Sequence, residues 1–338
     1  MILSPFSVPQ LNLGSGRTLP FPWVGRAPEL ASYSLSNTML LSRATTVSVR
    51  PALFAHLRYA RQPRRFLEVQ AGTDSSPQAF LEPVSSHPGI ACLSLNRPKS
   101  KNAISMTLLQ QLRECLETVH YDKSVRVLIL RSTTVGSFCA GADLAERRTM
   151  SQIQVAKFLA DLRDALGKLE SLPMPTIAAI DGPALGGGLE MSLACDLRVA
   201  GHDVTKIGLP ETGLGIIPGA GGTQRATRIL GPSKAKDLVF TARTLTASEA
   251  LEWGLVNYVS SPGATAFNRA LTLAEAISKN APLALRAAKQ AISRSEDLPL
   301  ETGLDFERAS YETLLTTKDR TEALNAFREK RRPMFTGE

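Results

Sequence analysis

Up to about residue 265 the chain switches repeatedly between two hydrophobic periods, and this alternation limits its fold more than any other feature. Apolar runs of strand length lie at 90–95, 125–131, 176–180, 196–200 and 255–259. Between them come helical stripes: Leu108, Leu109, Leu112, Leu116 and Val119 form one, and Val155, Leu159, Leu162, Leu166 and Leu169 another. Strands interleaved with helices indicate an α/β body. Beyond 265 the strands stop and helices are predicted over 266–279, 283–295, 299–315 and 318–329, the last opened by Thr317 with Asp319 and Glu322 in its first turn. A length of 338 residues fits two domains or one elaborated α/β domain.

Composition removes several function classes. The four cysteines (Cys92, Cys115, Cys139, Cys195) lie far apart, with no CxxC pair and no zinc-like spacing, so they read as buried thiols of a reducing compartment rather than a cross-linked scaffold. No apolar run reaches 18 residues, so no membrane-spanning helix is expected. The net charge of +8 is unevenly distributed. Residues 1–67 hold eight arginines, no lysine and a single acid, Glu29, which leaves 31 basic and 30 acidic groups in the remaining 271 residues. Bulk charge therefore gives the folded part no basic surface for nucleic acid.

An arginine-rich, serine-rich, acid-poor N-terminus has the composition of an organellar presequence. A secretory signal fits poorly, because no positive charge precedes Arg17 and Pro5, Pro9, Pro20 and Pro22 break the apolar stretches. From Met39 to Arg65 six arginines occur with no acid. Residues 1–67 are accordingly predicted to be a mitochondrial targeting segment, with translation starting at Met1 or Met39, and 68–84 a linker.

Glycine clusters occur at Gly136 to Asp143, Gly182 to Glu190 and Gly215 to Thr223. None contains the GxxxxGK[ST] phosphate loop, and no GxGxxG can be placed. There is no GxSxG elbow and no HExxH, and the four histidines sit in no triad or metal motif. Backbone and carboxylate chemistry remain. The glycines before Leu189-Glu190-Met191 would place bare N–H groups at a helix N-terminus, where a developing anion is favoured. The loop ending in Gly141-Ala142 can aim another N–H at the same point. Glu190 and Glu211, from separate elements, suit proton removal and delivery on a carbonyl-activated substrate. The plainer readings are that Glu190 complements a helix dipole, the glycines serve turns, Asp143 caps a helix and Cys139 is a small buried residue.

At these residues the chain resembles the crotonase (enoyl-CoA hydratase/isomerase) superfamily, over about residues 85–338. The similarity rests on Asn96-Arg97-Pro98, Phe138 to Leu144, Ile180-Asp181-Gly182 through Ala184 to Asp196, Leu209-Pro210-Glu211, Ile217 to Arg225, and Ala326 to Arg331. Within the family it is most similar to mitochondrial hydratases, among them the methylglutaconyl-CoA hydratase that also binds AU-rich RNA. The resemblance implies an α/β crotonase fold of repeated ββα units over 85–265, then a helical oligomerisation region over 266–338 that packs into a homotrimer or homohexamer.

It further implies that the N–H groups of Ala142 and Gly187 hold a thioester oxygen and that Glu190 and Glu211 are the two catalytic carboxylates. Arg97, Ala142, Asp143, Leu144, Gly187 and Lys330 would touch coenzyme A, which enters as part of the acyl-CoA substrate, with no metal and no separate cofactor. Many relatives carry a lysine near the coenzyme phosphates where Ala145 stands, so Arg147 or Arg97 is the candidate replacement. The implied activity is hydration of a 2-enoyl-CoA in the mitochondrial matrix, as in fatty-acid β-oxidation. The alternatives are a methylglutaconyl-CoA hydratase of branched-chain amino-acid breakdown and a non-catalytic or RNA-binding homologue. RNA binding is not expected, since Arg113 is outnumbered by Glu114 and Glu117 in the helix from Ser105 to His120.

Overall fold

The computed structural model describes residues 76–338. The targeting segment expected over 1–67 lies outside the described residues, as does the start of the expected linker over 68–84. The rest of that linker is corrected. It supplies the edge strand β1 (Ala79–Pro83), which pairs antiparallel with β2 (Ile90–Leu95). Only Ala79 of β1 is buried, so its five residues offer no apolar period to read.

From β2 onward the chain leaves the sheet through helices and returns parallel to itself. Helix α1 (Met106–Tyr121) leads to β3 (Val127–Ser132), and α2 (Leu144–Arg147) with α3 (Gln152–Glu170) leads to β4 (Thr176–Ile180). The short β5 (Ala184–Leu185) and α4 (Gly187–Leu193) precede β6 (Leu197–Ala200). Then come β7 (Ile207–Gly208), a 3-10 turn at Pro210–Leu214, α5 (Gly222–Phe240), β8 (Thr244–Leu245), α6 (Ala247–Trp253) and β9 (Tyr258–Val259). Four helices close the chain: α7 (Ala266–Ser278), α8 (Pro282–Arg294), α9 (Leu300–Glu312) and α10 (Lys318–Arg328). The main sheet has the order β1-β2-β3-β4-β6-β9, and a small second sheet the order β5-β7-β8.

The central strands β2, β3 and β4 are mostly apolar because both faces of the parallel sheet are covered. Leu93, Leu95, Leu128, Leu130, Ala178 and Ile180 point into one core with Leu108, Leu112 and Leu116 of α1 and Phe158, Leu162 and Leu166 of α3. Their alternating neighbours Ile90, Cys92, Val127, Ile129, Ile177, Ala179 and Val199 meet Ala266, Ala270 and Ala274, the small face of α7. All five residues of the α1 stripe are buried, at roughly 1.5–3 kcal/mol for each large side chain. In α3 the buried set is shifted to Phe158, Leu162, Ala165, Leu166 and Leu169, with Val155 and Leu159 half-buried.

Local chemistry sets the helix ends. The Ser105 side chain accepts from the Leu108 N–H at the start of α1, and Ser151 with Gln154 forms a capping box on α3. The strand expected over 255–259 shortens to two residues because α6 ends at Gly254 (φ 83) and the Leu255 and Val256 N–H groups fold back onto the Ala250 carbonyl. Helices α8 and α9 bury no residue within the chain, and Ile292, Leu300, Leu304 and Tyr311 are exposed. Lys289 ties α8 to the body, its Nζ donating to Asp196 Oδ2 (2.8 Å) and to the Met174 carbonyl (3.1 Å).

Candidate active site

Two loops are drawn together beyond the C-terminal ends of β3 and β4. Asn102 is buried and holds the first: its Nδ2 donates to the Phe138 carbonyl (2.9 Å) and to Ser132 Oγ (2.7 Å), while its Oδ1 accepts from the Arg97 N–H. Single β-bridges, Ile104 to Ala142 and Cys139 to Ala184, then align this loop with β5. The approach is so close that a Cβ on Gly188 would overlap the Cys139 carbonyl oxygen. Glycine is required there by contact and at Gly186 by conformation, since φ 51 with ψ −122 suits no L side chain.

This packing leaves two backbone donors side by side. The Gly186 N–H is committed to the Gly208 carbonyl, Glu190 N–H to Gly186, and Asp143 N–H to Ile104. The N–H groups of Ala142 and Gly187 have no protein acceptor among the described residues. They are near one another: the Cβ position of Gly187 lies 3.9 Å from Ala142 N, and that of Gly141 lies 3.5 Å from Gly187 N. The Gly187 donor stands at the start of α4, whose dipole adds to its attraction for negative charge.

Glu190 occupies the first turn of α4, a helix buried along its whole length, and is 3% exposed. Its Oε1 accepts from the Ala220 N–H (2.8 Å) and the Gly222 N–H (2.7 Å). Burial raises its pKa, and those two hydrogen bonds together with the nearby Arg225 pull it back. Arg225 is itself oriented by Glu170, with Nη2 to Oε2 at 2.7 Å.

Glu211 comes from the 3-10 turn after β7 and is 8% exposed. Its Oε1 sits 2.8 Å from the Cβ position of Gly186, which puts the carboxyl beside the two free donors. Its Oε2 is buried with no hydrogen-bond partner among the described residues. Burial, reinforced by the charge of Glu190, pushes its pKa up to about 7. An unpaired buried carboxyl costs stability, and one poised near neutral pH is suited to proton transfer.

The structure thus brings Ala142, Gly187, Glu190 and Glu211 together. The other expected contacts are arranged differently. Arg97 Nη1 binds Asp143 Oδ2 (2.7 Å) and the Ala103 carbonyl (2.9 Å), and Asp143 Oδ1 caps α2 through the N–H groups of Ala145 and Glu146. Arg97 and Asp143 are therefore engaged with each other, and Asp143 is a cap as well. Leu144 is exposed at the start of α2, beside Ala142. Lys330 follows α10 and is exposed, and among the described residues no hydrogen bond or ion pair joins its ammonium to the site. Cys139 is wholly buried, its thiol pushed up to about 12 by desolvation and donating to the Asn102 carbonyl, so it is an inert packing residue. Among the described residues no group of three or more His, Cys, Asp or Glu side chains could hold a metal. The donors that position Glu190, from Ala220 and Gly222, lie in the third glycine cluster, where sequence spacing gave no hint of which N–H would point inward.

A sheet wrapped in this way around facing N–H groups and two carboxylates is the crotonase architecture. The family model described as enoyl-CoA hydratase/isomerase matches residues 85–338, and the chain belongs to that family. An enoyl-CoA isomerase/hydratase of Mycosarcoma maydis is 53% identical over 273 residues, spanning 78% of this chain and 99% of that protein. The mitochondrial methylglutaconyl-CoA hydratase of Homo sapiens is 47% identical over 253 residues, 74% of each chain. Among solved structures, an enoyl-CoA hydratase from Bacillus anthracis superposes with a TM-score of 0.74 at 44% identity, covering 77% of this chain and all of that one.

Proposed function

We propose that the protein is an enoyl-CoA hydratase, a carbon–oxygen lyase that adds water reversibly and syn across the 2,3 double bond of a 2-enoyl-CoA thioester. One observation carries the reading: Glu190 is held by two backbone N–H groups, while Glu211, close by, keeps a buried oxygen with no hydrogen-bond partner among the described residues. The thioester oxygen accepts from Ala142 and Gly187, which stabilise the enolate-like charge of the transition state. Glu190, its Oε1 fixed by the Ala220 and Gly222 N–H groups, acts as the base and removes a proton from water, whose oxygen bonds to C3. Glu211 is protonated below about pH 7 and delivers its proton to C2. Coenzyme A arrives with the substrate, and no metal or redox cofactor enters the scheme. An isomerase would need only one carboxylate to move a proton along the acyl chain, so the retention of two favours hydration.

The acyl group is that of a straight-chain or branched enoyl-CoA, and the relatives named methylglutaconyl-CoA hydratase support the branched alternative. Several relatives are named as mitochondrial, which together with the arginine-rich segment over 1–67 supports a matrix location. The apolar side chains left exposed on α8 and α9 suit a homotrimer or homohexamer. The test is steady-state hydration of crotonyl-CoA, longer enoyl-CoAs and 3-methylglutaconyl-CoA by the wild type and by Glu190→Gln. The variant should lose ~10²–10⁴-fold in turnover while remaining folded. Wild-type turnover by Glu190→Gln would refute the two-carboxylate scheme.

A further inference from the structure

The two peptide groups that carry the unengaged donors meet at one residue outside the glycine clusters. Ile104 lies in the loop before α1, one residue ahead of the Ser105 cap, and is 1% exposed. Its N–H donates to the Gly141 carbonyl (2.7 Å), and its own carbonyl accepts from the Asp143 N–H (3.2 Å). Gly141 C=O and Ala142 N–H belong to a single planar peptide group, so the first of these bonds fixes the plane in which the Ala142 donor points. A hydrogen bond to the carbonyl also polarises the amide and strengthens its N–H as a donor.

The side chain of Ile104 reaches the second donor. Its Cδ1 lies 3.0 Å from the Cβ position of Gly187, nearer than Gly141 Cα (3.8 Å) or Ala142 N (3.9 Å). The Gly187 N–H shares its peptide group with the Gly186 carbonyl, which accepts from the Glu190 N–H (2.9 Å) and so moves with α4. The methyl therefore sets how closely the start of α4 approaches the 141–142 peptide. β-Branching restricts χ1, which keeps that methyl from swinging aside. The mount is itself braced. Asn102, two residues earlier, accepts from the Arg97 N–H and Thr134 Oγ1 and donates to the Phe138 carbonyl and Ser132 Oγ, while Ser105 donates to Gln78 Oε1 (3.0 Å).

Resting on the hydratase reading, we propose that Ile104 is a positioning residue of the donor pair: its main chain orients the Ala142 N–H, and its Cδ1 methyl spaces Gly187 from it, so that both donors converge on one thioester oxygen. Preorganised donors act only where they meet the developing oxyanion, and a misplacement of about 1 Å can cost ~10²-fold. The plainer role is a core side chain that seals α1 against the loops. Shape separates the two roles. Leucine keeps the volume of isoleucine, a swap that cores tolerate well, yet relocates the methyl. Valine removes Cδ1 alone and leaves both main-chain bonds in place.

The experiment measures kcat and KM for hydration of crotonyl-CoA by the wild type, Ile104→Val and Ile104→Leu, with thermal denaturation to check folding. Bound butyryl-CoA, isotopically labelled at its thioester carbonyl and lacking a double bond to hydrate, reports the donors directly, because hydrogen bonds lower the carbonyl stretching frequency in difference infrared spectra. Both variants should stay folded, lose about 10- to 100-fold in kcat with far less change in KM, and show a smaller carbonyl shift than the wild type. Ile104→Val should also restore about 10-fold of the kcat lost in Gly187→Ala, because the added Cβ enters the space that the methyl vacates. A lowered melting temperature with kcat and carbonyl shift at wild-type levels would overturn the proposal and leave Ile104 a core residue. A kcat loss without any change in the shift, or additive losses in the double variant, would overturn it too. Should one single variant not fold, the other decides. Absence of hydration by the wild type, with a carbonyl shift that Ile104→Val reduces, would sink the hydratase reading and leave the positioning role standing; hydration and shift both indifferent to position 104 would do the reverse.

Discussion

Replacing Glu211 by glutamine should slow hydration and stabilise the fold in one step. Burial moves this carboxyl from an ordinary 4.5 to about 7. Between those values the folded protein holds a proton that the unfolded chain has released, so stability falls as pH rises through the window and levels off above about 7. At ~1.4 kcal/mol per pH unit the full cost is about 3 kcal/mol. Glutamine cannot titrate and escapes it. Its buried amide carries a penalty of its own, but one independent of pH, so the slope isolates the carboxyl. Urea unfolding of wild type and Glu211→Gln at fixed protein concentration, from pH 4.5 to 8, should give curves that diverge by about 3 kcal/mol up to pH 7 and then run parallel. Turnover of the variant should drop ~10²–10⁴-fold. Parallel stability curves across the whole window would refute the reasoning, because Glu211 would then be no more desolvated than a surface carboxylate.

The neighbouring glycines should separate activity from folding. Gly187→Ala meets only the Ile104 Cδ1 tip at 3.0 Å and crowds the donor pair, so it should remain folded and lose ~10²–10³-fold in kcat; Gly188→Ala meets the Cys139 backbone and should lower the melting temperature sharply, which thermal denaturation of the two would check. The pH profile of kcat/KM for hydration should decline above about pH 7 as Glu211 loses its proton, and a flat profile to pH 9 would contradict its role as the acid. An AU-rich oligonucleotide should bind protein lacking residues 1–67 no better than ~10⁻⁴–10⁻⁶ M at physiological salt, because Arg113 on α1 is paired with Asp161 and Asp164; nanomolar affinity with a steep salt slope would count against this. N-terminal sequencing of protein from cells should find a start between about residues 58 and 75, and an intact Met1 on cytosolic enzyme would exclude the leader.

The parts legible in the sequence were those with a sustained period. Strands 90–95 and 176–180 match the structure because both their faces are buried, and the α1 stripe matches because one face is. The two-residue strands β5, β7 and β8 are too short to carry a period, and β1 buries only Ala79. Helix α5 was hidden by Gly231 (φ 75) and Pro232, which break it into two pieces. At the site, the motif positions named the four central groups, and the structure juxtaposes them. What the chain order could not reveal was long-range: Asn102 bracing the 136–142 loop, Ala220 and Gly222 steering Glu190, and Arg97 being consumed by Asp143.

The complete burial of α4 has a consequence for how this site can change over time. Amides of a fully enclosed helix exchange with solvent only when the domain opens globally, so α4 should be among the last segments to take up deuterium. Glu190 is thus mounted on a part of the molecule where almost any replacement endangers folding. Glu211 sits on a single 3-10 turn whose neighbours Leu214, Ile216 and Ile217 are exposed. New chemistry on this scaffold is therefore expected to arise by exchanging the side chain at position 211 and the turn around it, with α4 carried along unaltered.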